Sequence, residues 1–237
     1  MQVREFIKSF MPQLANASWT EKLRSGLAGG VAILLLGWLL HALPQGPYQL
    51  MMLGSMAASA VLIFAVPHSP LAQPWNLLGG HLLSALPAWF CGLWLADPLL
   101  AGALAVGLAI FLMYSLNCLH PPGAATALAV VMGGAQFHQM GATWTIYIIA
   151  ANALIFLALA LIINNLIPGR RYPMGPLRAT VAPKPGPFIA LEREDLDWSL
   201  QQMNSAIDIN VDDLSRIYQL ALSRAQDRLD ANHARAK

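Results

Sequence analysis

The chain has 237 residues, of which 57% are hydrophobic, and a formal net charge of +2. Between residues 25 and 169 the only charged side chain is Asp97. A soluble domain is excluded, because a water-facing helix needs a polar face, whereas a lipid-facing helix avoids charge over about 20 residues. The sequence therefore predicts an all-α, polytopic membrane protein that contacts the lipid bilayer and has no nucleic-acid partner.

The charged residues divide the chain into three regions. Residues 1–24 form an amphipathic N-terminal segment, residues 25–169 a transmembrane domain, and residues 170–237 a proline-rich linker with an amphipathic helical tail. Lys22 and Arg24 precede the first apolar segment, and Arg170 and Arg171 follow the last. Because basic residues remain on the cytoplasmic side, we expect an even number of crossings and both termini in the cytoplasm, at a bacterial inner membrane.

Six apolar segments follow one another in the transmembrane domain. They cover residues 25–43, 49–66, 77–96, 98–116, 121–137 and 143–167. We interpret them as three helical hairpins separated by proline-broken junctions at residues 67–76 and 117–120. The fifth segment is short and rich in small residues, which favours a buried helix or half-helix. The uncharged junction at residues 67–76 favours partly re-entrant backbone held inside the protein, and Asp97 before Pro98 predicts a helix N-cap.

The tail carries one further predicted helix. Apolar residues follow a 4-3 spacing from residue 207 to residue 229, which is typical of an amphipathic helix. This helix has two open uses, packing back onto the membrane domain or self-association, since so few heptads are marginal for an isolated coiled coil. A homo-oligomer, in the simplest case a dimer, is expected.

The transmembrane domain lacks the side chains that most enzymes and metal sites use. It has no Lys, Arg or Glu, no nucleophile with a neighbouring base and acid, and no glycine-rich phosphate loop with a lysine. His68, His81 and His120 have no carboxylate or thiolate partner at ligand spacing, so no metal site is predicted. We expect no enzymatic activity and no cofactor.

Neutral polar groups and helix starts remain as candidates for function. Pro121 and Pro122 suit the first turn of a helix, so the backbone N–H groups from Gly123 onward are expected to point toward His120. The third helix begins near Asn76 in the same way, and two helix N-termini that face one cavity can bind an anion without a fixed cation. The predicted substrate-binding residues are His68, Ser69, Gln73, Asn76, His81, Asn117, His120, Pro121, Pro122, Gly123 and Thr126.

The histidines also have a structural interpretation. His68 and His120 can donate to carbonyl groups that the neighbouring prolines leave free, and His81 can bridge helices instead of lining a cavity. In the functional interpretation, His68 and His120 approach one cavity although 52 residues separate them.

Two sequence motifs resemble those of a known family. Residues 116–127 read LNCLHPPGAATA, and residues 67–76 read PHSPLAQPWN, with Gly79, Gly80 and His81 shortly after. Both motifs resemble the HPP family of integral membrane proteins, named for its His-Pro-Pro motif, and the likeness covers residues 18–170. The resemblance implies transport, because plastid and cyanobacterial members are associated with nitrite movement across membranes. Some members carry a pair of CBS domains in the tail, which this sequence does not show, so nucleotide regulation is not implied.

The sequence therefore predicts a membrane transporter or channel for a small monovalent anion, with nitrite as the first substrate to test. The alternative is a non-transporting membrane sensor or scaffold that acts through its tail helix. Such a protein would be expected to carry an exposed binding motif in the tail, and none is evident.

The charge pattern predicts the outcome of cysteine labelling in intact cells. In a background without Cys91 and Cys118, single cysteines placed near Lys22 or near Arg170 should be protected from a membrane-impermeant maleimide. A cysteine in the turn at residues 44–47 should react, because this turn follows the first crossing. Labelling of one terminal position but not the other would require an odd number of crossings and contradict the three hairpins.

Overall fold

The computed structural model describes residues 17–44, residues 46–174 and residue 218. In this part of the chain there are six α-helices, one short 3-10 turn and no strand. The helices are α1 (Trp19–Ala42), α2 (Ser55–Ala65), α3 (Pro74–Trp94), α4 (Pro98–Ser115), α5 (Pro121–Met132) and α6 (Ala135–Leu166), and the turn covers Pro70–Ala72. From residue 22 onward these elements belong to one compact unit that ends at residue 177. The all-α class is confirmed, whereas the predicted tail helix lies outside the described residues apart from Tyr218.

The helices differ in whether they can cross a membrane. Four of them, α1, α3, α4 and α6, are long and apolar enough to do so. Helices α2 and α5 have only 11 and 12 residues, or about 17 and 18 Å at 1.5 Å per residue, against about 30 Å of hydrocarbon. The short fifth segment was predicted and is confirmed. The second segment differs from its prediction, because its helix begins only at Ser55 and residues 46–54 are not helical.

A buried asparagine compensates for the missing helix in residues 46–54. The Oδ1 atom of Asn152, in α6, accepts the backbone N–H of Leu53 at 3.0 Å, and its Nδ2 atom donates to the carbonyl of Met51 at 2.9 Å. Asn152 is fully buried, and Leu50 and Leu53 are buried beside it. Backbone groups at membrane depth have no water to bind and must find partners within the protein. Asn152 therefore makes the irregular segment possible.

A second asparagine of α6 holds the other end of α2. Nδ2 of Asn164 donates to the carbonyl of Ile63 at 3.3 Å, so α2 and α6 run in the same direction. Oδ1 of Asn164 accepts a hydrogen bond from Arg170, whose guanidinium also donates to Ser25 Oγ at 2.7 Å. The beginning of α1 and the end of α6 thus lie on the same side of the membrane domain, as an even number of crossings requires.

The first two pairs of consecutive segments form antiparallel hairpins. Gly29 near the start of α1 lies against Phe64 near the end of α2, and Gly37 further along α1 lies against Met52 before α2 begins. In the second hairpin the indole N–H of Trp75, at the start of α3, donates to the carbonyl of Leu116, just after α4, at 3.1 Å. These contacts agree with the predicted hairpin order.

Two of the predicted helix boundaries can be checked directly. Oδ1 of Asp97 accepts the N–H groups of Leu99 and Leu100 at 2.8 and 3.2 Å, which confirms the predicted N-cap of α4. The predicted break at residues 138–142 contains a kink in α6 at Gly141, where φ is 75° and ψ is 167°, but the chain leaves helical structure earlier than predicted, since α5 ends at Met132 and α6 begins at Ala135. A left-handed φ of this kind is accessible to glycine at little cost, so the kink occurs where the sequence allows it.

Tryptophans mark both ends of two spanning helices. Trp19 and Trp38 in α1, and Trp75 and Trp94 in α3, are all exposed. Each pair is nineteen residues apart, which is about 28 Å along a helix. Indole side chains favour the membrane interface and the hydrocarbon core is about 30 Å thick, so the spacing within each pair matches the thickness of a bilayer core.

Replacement of Asn152 tests the role of the irregular segment. In Asn152→Leu, the N–H of Leu53 and the carbonyl of Met51 lose their partner, which should destabilise the protein by about 1–3 kcal/mol for each group. Gln139→Leu, at an exposed position of the same helix, controls for the change in hydrophobicity. Thermal unfolding in detergent should show a lower melting temperature for Asn152→Leu alone, and equal melting temperatures for the two variants would contradict this role.

Candidate functional site

Three glycines bring the backbone of α3 against the loop and helix that contain the His-Pro-Pro motif. A Cβ atom on Gly80 would lie 2.4 Å from Cβ of His120, and one on Gly79 would lie 2.8 Å from Cβ of Cys118. On the opposite side, a Cβ atom on Gly123 would lie 2.4 Å from the carbonyl oxygen of Gly80. No larger residue fits at these positions without a shift, so the glycines are what allow the two motifs to meet.

His120 is the N-cap residue of α5, with Pro121 and Pro122 as the first two helical residues. The sequence predicted that the backbone N–H groups from Gly123 onward point toward His120; the N–H of Gly123 does so, but it is already used within the protein. Neither proline has an N–H group, and the N–H of Gly123 donates to the carbonyl of His120 at 2.7 Å. In this conformation the first three residues of α5 offer the positive end of the helix dipole but no free N–H group.

His120 pairs with His81 of α3. Their ring centroids are 5.1 Å apart and the rings are nearly perpendicular. Ser59 Oγ, from α2, lies 2.9 Å from Nε2 of His81 and 2.9 Å from Nε2 of His120. All three side chains are 0% exposed. One hydroxyl therefore bridges the two imidazoles in a site that water does not reach in this conformation.

The bridge continues in both directions. Nδ1 of His120 lies 2.8 Å from the carbonyl oxygen of Leu71, in the 3-10 turn. Nδ1 of His81 lies 2.7 Å from Oγ1 of Thr126 in α5, and Thr126 Oγ1 lies 2.8 Å from Ser55 Oγ in α2. We call the five side chains from α2, α3 and the α5 region the histidine cluster; they are Ser55, Ser59, His81, His120 and Thr126. Together with the Leu71 carbonyl they form one unbroken chain of hydrogen bonds.

His68 does not belong to this cluster. Its side chain is exposed, whereas His120 is fully buried. The expectation that His68 and His120 share one cavity was therefore wrong about the partner, which is His81. The reason is that Ser69 caps the 3-10 turn with its hydroxyl, accepting the Leu71 N–H at 3.2 Å, and this turn brings the Leu71 carbonyl, not the His68 ring, to His120.

Two other predicted residues hold the segment at residues 67–76 in place. The side-chain amide of Gln73 donates to the carbonyls of Pro67 and Ser69 at 3.1 and 2.8 Å. Nδ2 of Asn76 donates to the carbonyl of Leu119 at 2.8 Å, immediately before His120. These residues position the cluster and do not line it.

Asn117 has a conformational role at the end of α4. It is exposed and has a φ of 51°, in the left-handed region that asparagine tolerates better than most residues. Its N–H donates to the Tyr114 carbonyl at 3.2 Å, and the N–H of Cys118 donates to Met113 at 2.9 Å. This is the hydrogen-bond pattern of a Schellman cap, and it turns the chain toward His120.

The residues that follow α6 fold back over the same connector. The hydroxyl of Tyr172 donates to the carbonyl of Ala72 at 2.7 Å, and the N–H of Met174 donates to Oε1 of Gln73 at 2.9 Å. Burial raises the pKa of the Tyr172 phenol above its usual range, so this side chain stays a neutral donor. The 3-10 turn is thus held from both sides, by Tyr172 at Ala72 and by His120 at Leu71.

The cluster contains no fixed charge, and the position of His81 along α3 gives its depth relative to Trp75. His81 follows Trp75 by six residues, or about 9 Å along α3, which places it roughly one third of the way between the two tryptophan levels. Within the part of the chain that the structure describes, no group of three His, Cys, Asp or Glu side chains could hold a metal ion. The arrangement offers hydrogen bonds and titratable imidazoles, and no fixed charge.

Sequence reasoning missed Ser55 and Ser59, which connect the two histidines. The available signal was their spacing, since residues four apart share one face of a helix and the rest of α2 is otherwise apolar. Among the predicted site residues, the structure brings together His81, His120 and Thr126.

Comparison with known proteins matches the chain to one family and to two individual proteins. A model of the transmembrane region of the HPP family matches residues 14–173. Two transmembrane proteins of Dictyostelium discoideum are each 42% identical to the chain, over 168 and 154 residues. These stretches cover 69% and 63% of this chain and 57% and 49% of the relatives, so the chain spans about half the length of the curated relatives it matches. No solved structure matches the chain.

The close approach of α3 and His120 predicts that Gly80→Ala damages the cluster. The added methyl group must displace the imidazole, which should lower stability by about 1–3 kcal/mol and lower any activity that depends on His120. Gly107→Ala, in α4, is the matched control, since a Cβ atom there meets nothing within 4 Å. Thermal unfolding of both variants provides the measurement; a Gly80→Ala protein as stable as Gly107→Ala would show that the packing is looser than described.

Proposed function

Because the chain belongs to the HPP transmembrane family, we propose that it transports a small monovalent anion, with nitrite as the first substrate, along a path past the histidine cluster. One observation carries this proposal. Two histidines and three hydroxyl side chains are buried together in a domain whose only charged residue is Asp97, and His81 among them lies about 9 Å along α3 from Trp75. Polar side chains at such depth are costly and commonly mark pathways for substrates or ions.

The two short helices support the same proposal. Ser55 in the first turn of α2 contacts Thr126 in α5, and Ser59 one turn later contacts His120 at the start of α5. Helices α2 and α5 therefore run antiparallel, and each begins beside the histidine cluster. Half-length helices with their positive ends at the membrane interior are used in transporters to bind anionic groups.

The absence of a fixed positive charge at the site favours passage of an anion over tight binding of it. The described membrane domain between residues 25 and 169 contains no Lys or Arg, so an anion there meets helix dipoles and imidazoles instead of a fixed cation. Conduction requires binding strong enough to attract an ion and weak enough to release it. A small monovalent anion such as nitrite, nitrate, formate or chloride fits this requirement better than a multiply charged one.

A moving part is required, because the cluster is closed in the described conformation. The connector at residues 67–76 is the element whose displacement would release the Leu71 carbonyl from His120 and open the start of α5. We place this connector at the cytoplasmic side, since Arg170 and the start of α1 meet at one end of the domain and basic residues remain inside. The setting we propose is a bacterial inner membrane with both termini cytoplasmic.

The proposal assigns no enzymatic reaction, cofactor or nucleic-acid partner. Assembly as a homo-oligomer through the tail helix is part of it, but this helix lies outside the described residues. The competing interpretation, a sensor or scaffold that acts through the tail, has no supporting observation among the described residues.

A matched pair of substitutions at His120 tests the proposed function. Asn and Asp are nearly equal in size and are both favourable N-cap residues, so they differ mainly in charge. His120→Asp should abolish nitrite uptake into proteoliposomes, because its carboxylate repels the anion at the start of α5. His120→Asn should retain a reduced uptake, because its amide still donates a hydrogen bond.

The measurement is the initial rate of uptake of nitrite, nitrate, formate, chloride and bicarbonate at matched protein content, with protein-free vesicles subtracted. Both variants should first elute as monodisperse protein with comparable melting temperatures. Uptake by His120→Asp at the wild-type rate would show that the anion does not pass this histidine.

A further inference from the structure

The hydrogen-bond chain through the histidine cluster fixes where its protons lie. The carbonyl of Leu71 can only accept, so Nδ1 of His120 carries a hydrogen. If His120 is neutral, its Nε2 atom must accept from the Ser59 hydroxyl. Ser59 has then used its only hydrogen, so its oxygen accepts from Nε2–H of His81. A neutral His81 in turn accepts at Nδ1 from the hydroxyl of Thr126.

A second arrangement satisfies the same contacts with one more proton. His120 then carries hydrogens on both nitrogens and donates to Ser59, Ser59 donates to His81, and Nδ1–H of His81 donates to Thr126. Thr126 now donates to Ser55, which is the direction that the heavy-atom geometry of this contact supports. Every bond between Thr126 and His120 is reversed relative to the neutral arrangement. For the chain to start at Ser55, the Ser55 hydroxyl must also donate to Thr126 in the neutral arrangement, which is opposite to the direction found for this contact.

The two arrangements are connected by a balanced proton transfer. A proton that arrives at Ser55 Oγ displaces the hydroxyl hydrogen of Ser55 onto Thr126, whose hydrogen moves to Nδ1 of His81. The Nε2 hydrogen of His81 moves to Ser59, and the Ser59 hydrogen moves to Nε2 of His120. One proton has entered, one positive charge has appeared on His120, and each hydrogen has crossed only its own bond of 2.7 to 2.9 Å.

No other group nearby can take over this charge. Helices α2 and α5 have no titratable side chain besides the hydroxyls of the cluster, and α3 adds only Cys91. Cys118 lies against Gly79, His68 on the connector is exposed, and the Tyr172 hydroxyl is bonded to Ala72. Within the described residues, an imidazolium at position 120 therefore has no carboxylate to neutralise it.

The position of His120 links this charge to the anion. A cation at the N-cap of α5 faces the positive end of the helix dipole, which is unfavourable. An anion beside it reverses that balance, because it is attracted both by the imidazolium and by the dipole. Proton and anion therefore increase one another's affinity, as any coupled pair of ligands must do reciprocally.

Resting on the proposed anion transport, we propose that the protein carries one proton with each anion, and that the proton travels along the chain Ser55, Thr126, His81, Ser59 and His120. The proton leaves from Nδ1 of His120 when the connector moves and frees this atom from the Leu71 carbonyl. The hydroxyls then rotate back. Each imidazole returns to its starting tautomer by taking up a proton from water at one ring nitrogen and releasing one to water from the other, because rotation of the ring cannot exchange the two nitrogens. The transported unit is electrically neutral, which explains how an anion crosses a domain without a fixed cation.

The test measures whether nitrite uptake carries charge. Wild-type protein is reconstituted into vesicles that contain a pH-sensitive dye. Valinomycin is added to set the membrane potential, with a tenfold potassium gradient applied in one direction or the other. The protein-free rate is subtracted, because protonated nitrous acid crosses lipid unaided. We expect an initial rate that is the same for both directions of the gradient, together with acidification of the lumen by one proton per nitrite.

Two substitutions locate the path. Ser59→Ala removes the hydroxyl between the histidines and should lower the rate by about tenfold or more. Ser84→Ala is its control, since Ser84 is equally buried but donates to the Gly80 carbonyl outside the chain, and its rate should stay within about twofold of wild type. Ser59→Thr, which keeps the hydroxyl, should recover part of the loss. The residual uptake of His120→Asn should depend on the membrane potential and move no protons.

The possible results separate the two proposals. Wild-type uptake that changes severalfold with the direction of the potassium gradient, without proton movement, would overturn proton coupling and leave anion transport standing. Electroneutral uptake by Ser59→Ala at the wild-type rate would overturn the path. If no anion enters above the protein-free rate, both proposals fail. If Ser59→Ala does not fold, proton coupling is decided by whether uptake depends on the membrane potential and moves protons in the wild type and in His120→Asn.

Discussion

The membrane domain is organised by the need to satisfy the backbone groups of its irregular segments without water. In hydrocarbon an unpaired N–H or carbonyl group costs several kcal/mol, and this chain departs from helix at several points inside the membrane domain. Each departure has an assigned partner: Asn152 for the segment before α2, Asn76 for the loop before α5, and Gln73 for the connector. The conformation of the irregular segments is thus encoded in a few neutral amides on the helices around them.

The same constraint explains the form of the histidine cluster. Two imidazoles cannot remain buried unless all four ring nitrogens have partners, and here three groups supply them: the Thr126 hydroxyl, the Leu71 carbonyl and the Ser59 hydroxyl, which contacts both rings. The bridge is the single hydroxyl of Ser59, which both donates and accepts. The atoms that satisfy the hydrogen bonds of the two imidazoles are therefore the same atoms that the proposed proton transfer uses. The structural and functional interpretations of the histidines are therefore compatible, and the choice between them depends on whether the chain of bonds reverses.

Much of the architecture could be predicted from local chemistry. The lack of charged residues other than Asp97 over residues 25–169, the cap at Asp97 and the prolines at the start of α5 each have one dominant physical meaning, and the structure agrees with all three. The site was predicted less well. The choice of His81 over His68 as partner of His120 depends on the packing of Gly79 and Gly80 against residues 118–123, a tertiary contact between segments about forty residues apart. Asn152 and Ser59 were missed because a polar residue in an apolar helix, even when a second one lies four residues away, does not reveal which segment it faces.

The 3-10 turn that joins α2 and α3 has a mechanical property that follows from its hydrogen bonds. Leu71 and Ala72 are neighbours in the chain, and their carbonyls are held by His120 and by Tyr172 respectively. A displacement of Tyr172 would therefore reach the Leu71 carbonyl, which binds the buried imidazole, through one peptide unit and without passing through any helix. The residues just after α6 and the buried imidazole of His120 therefore share one short turn as their contact, although 52 residues separate Tyr172 from His120 in the chain.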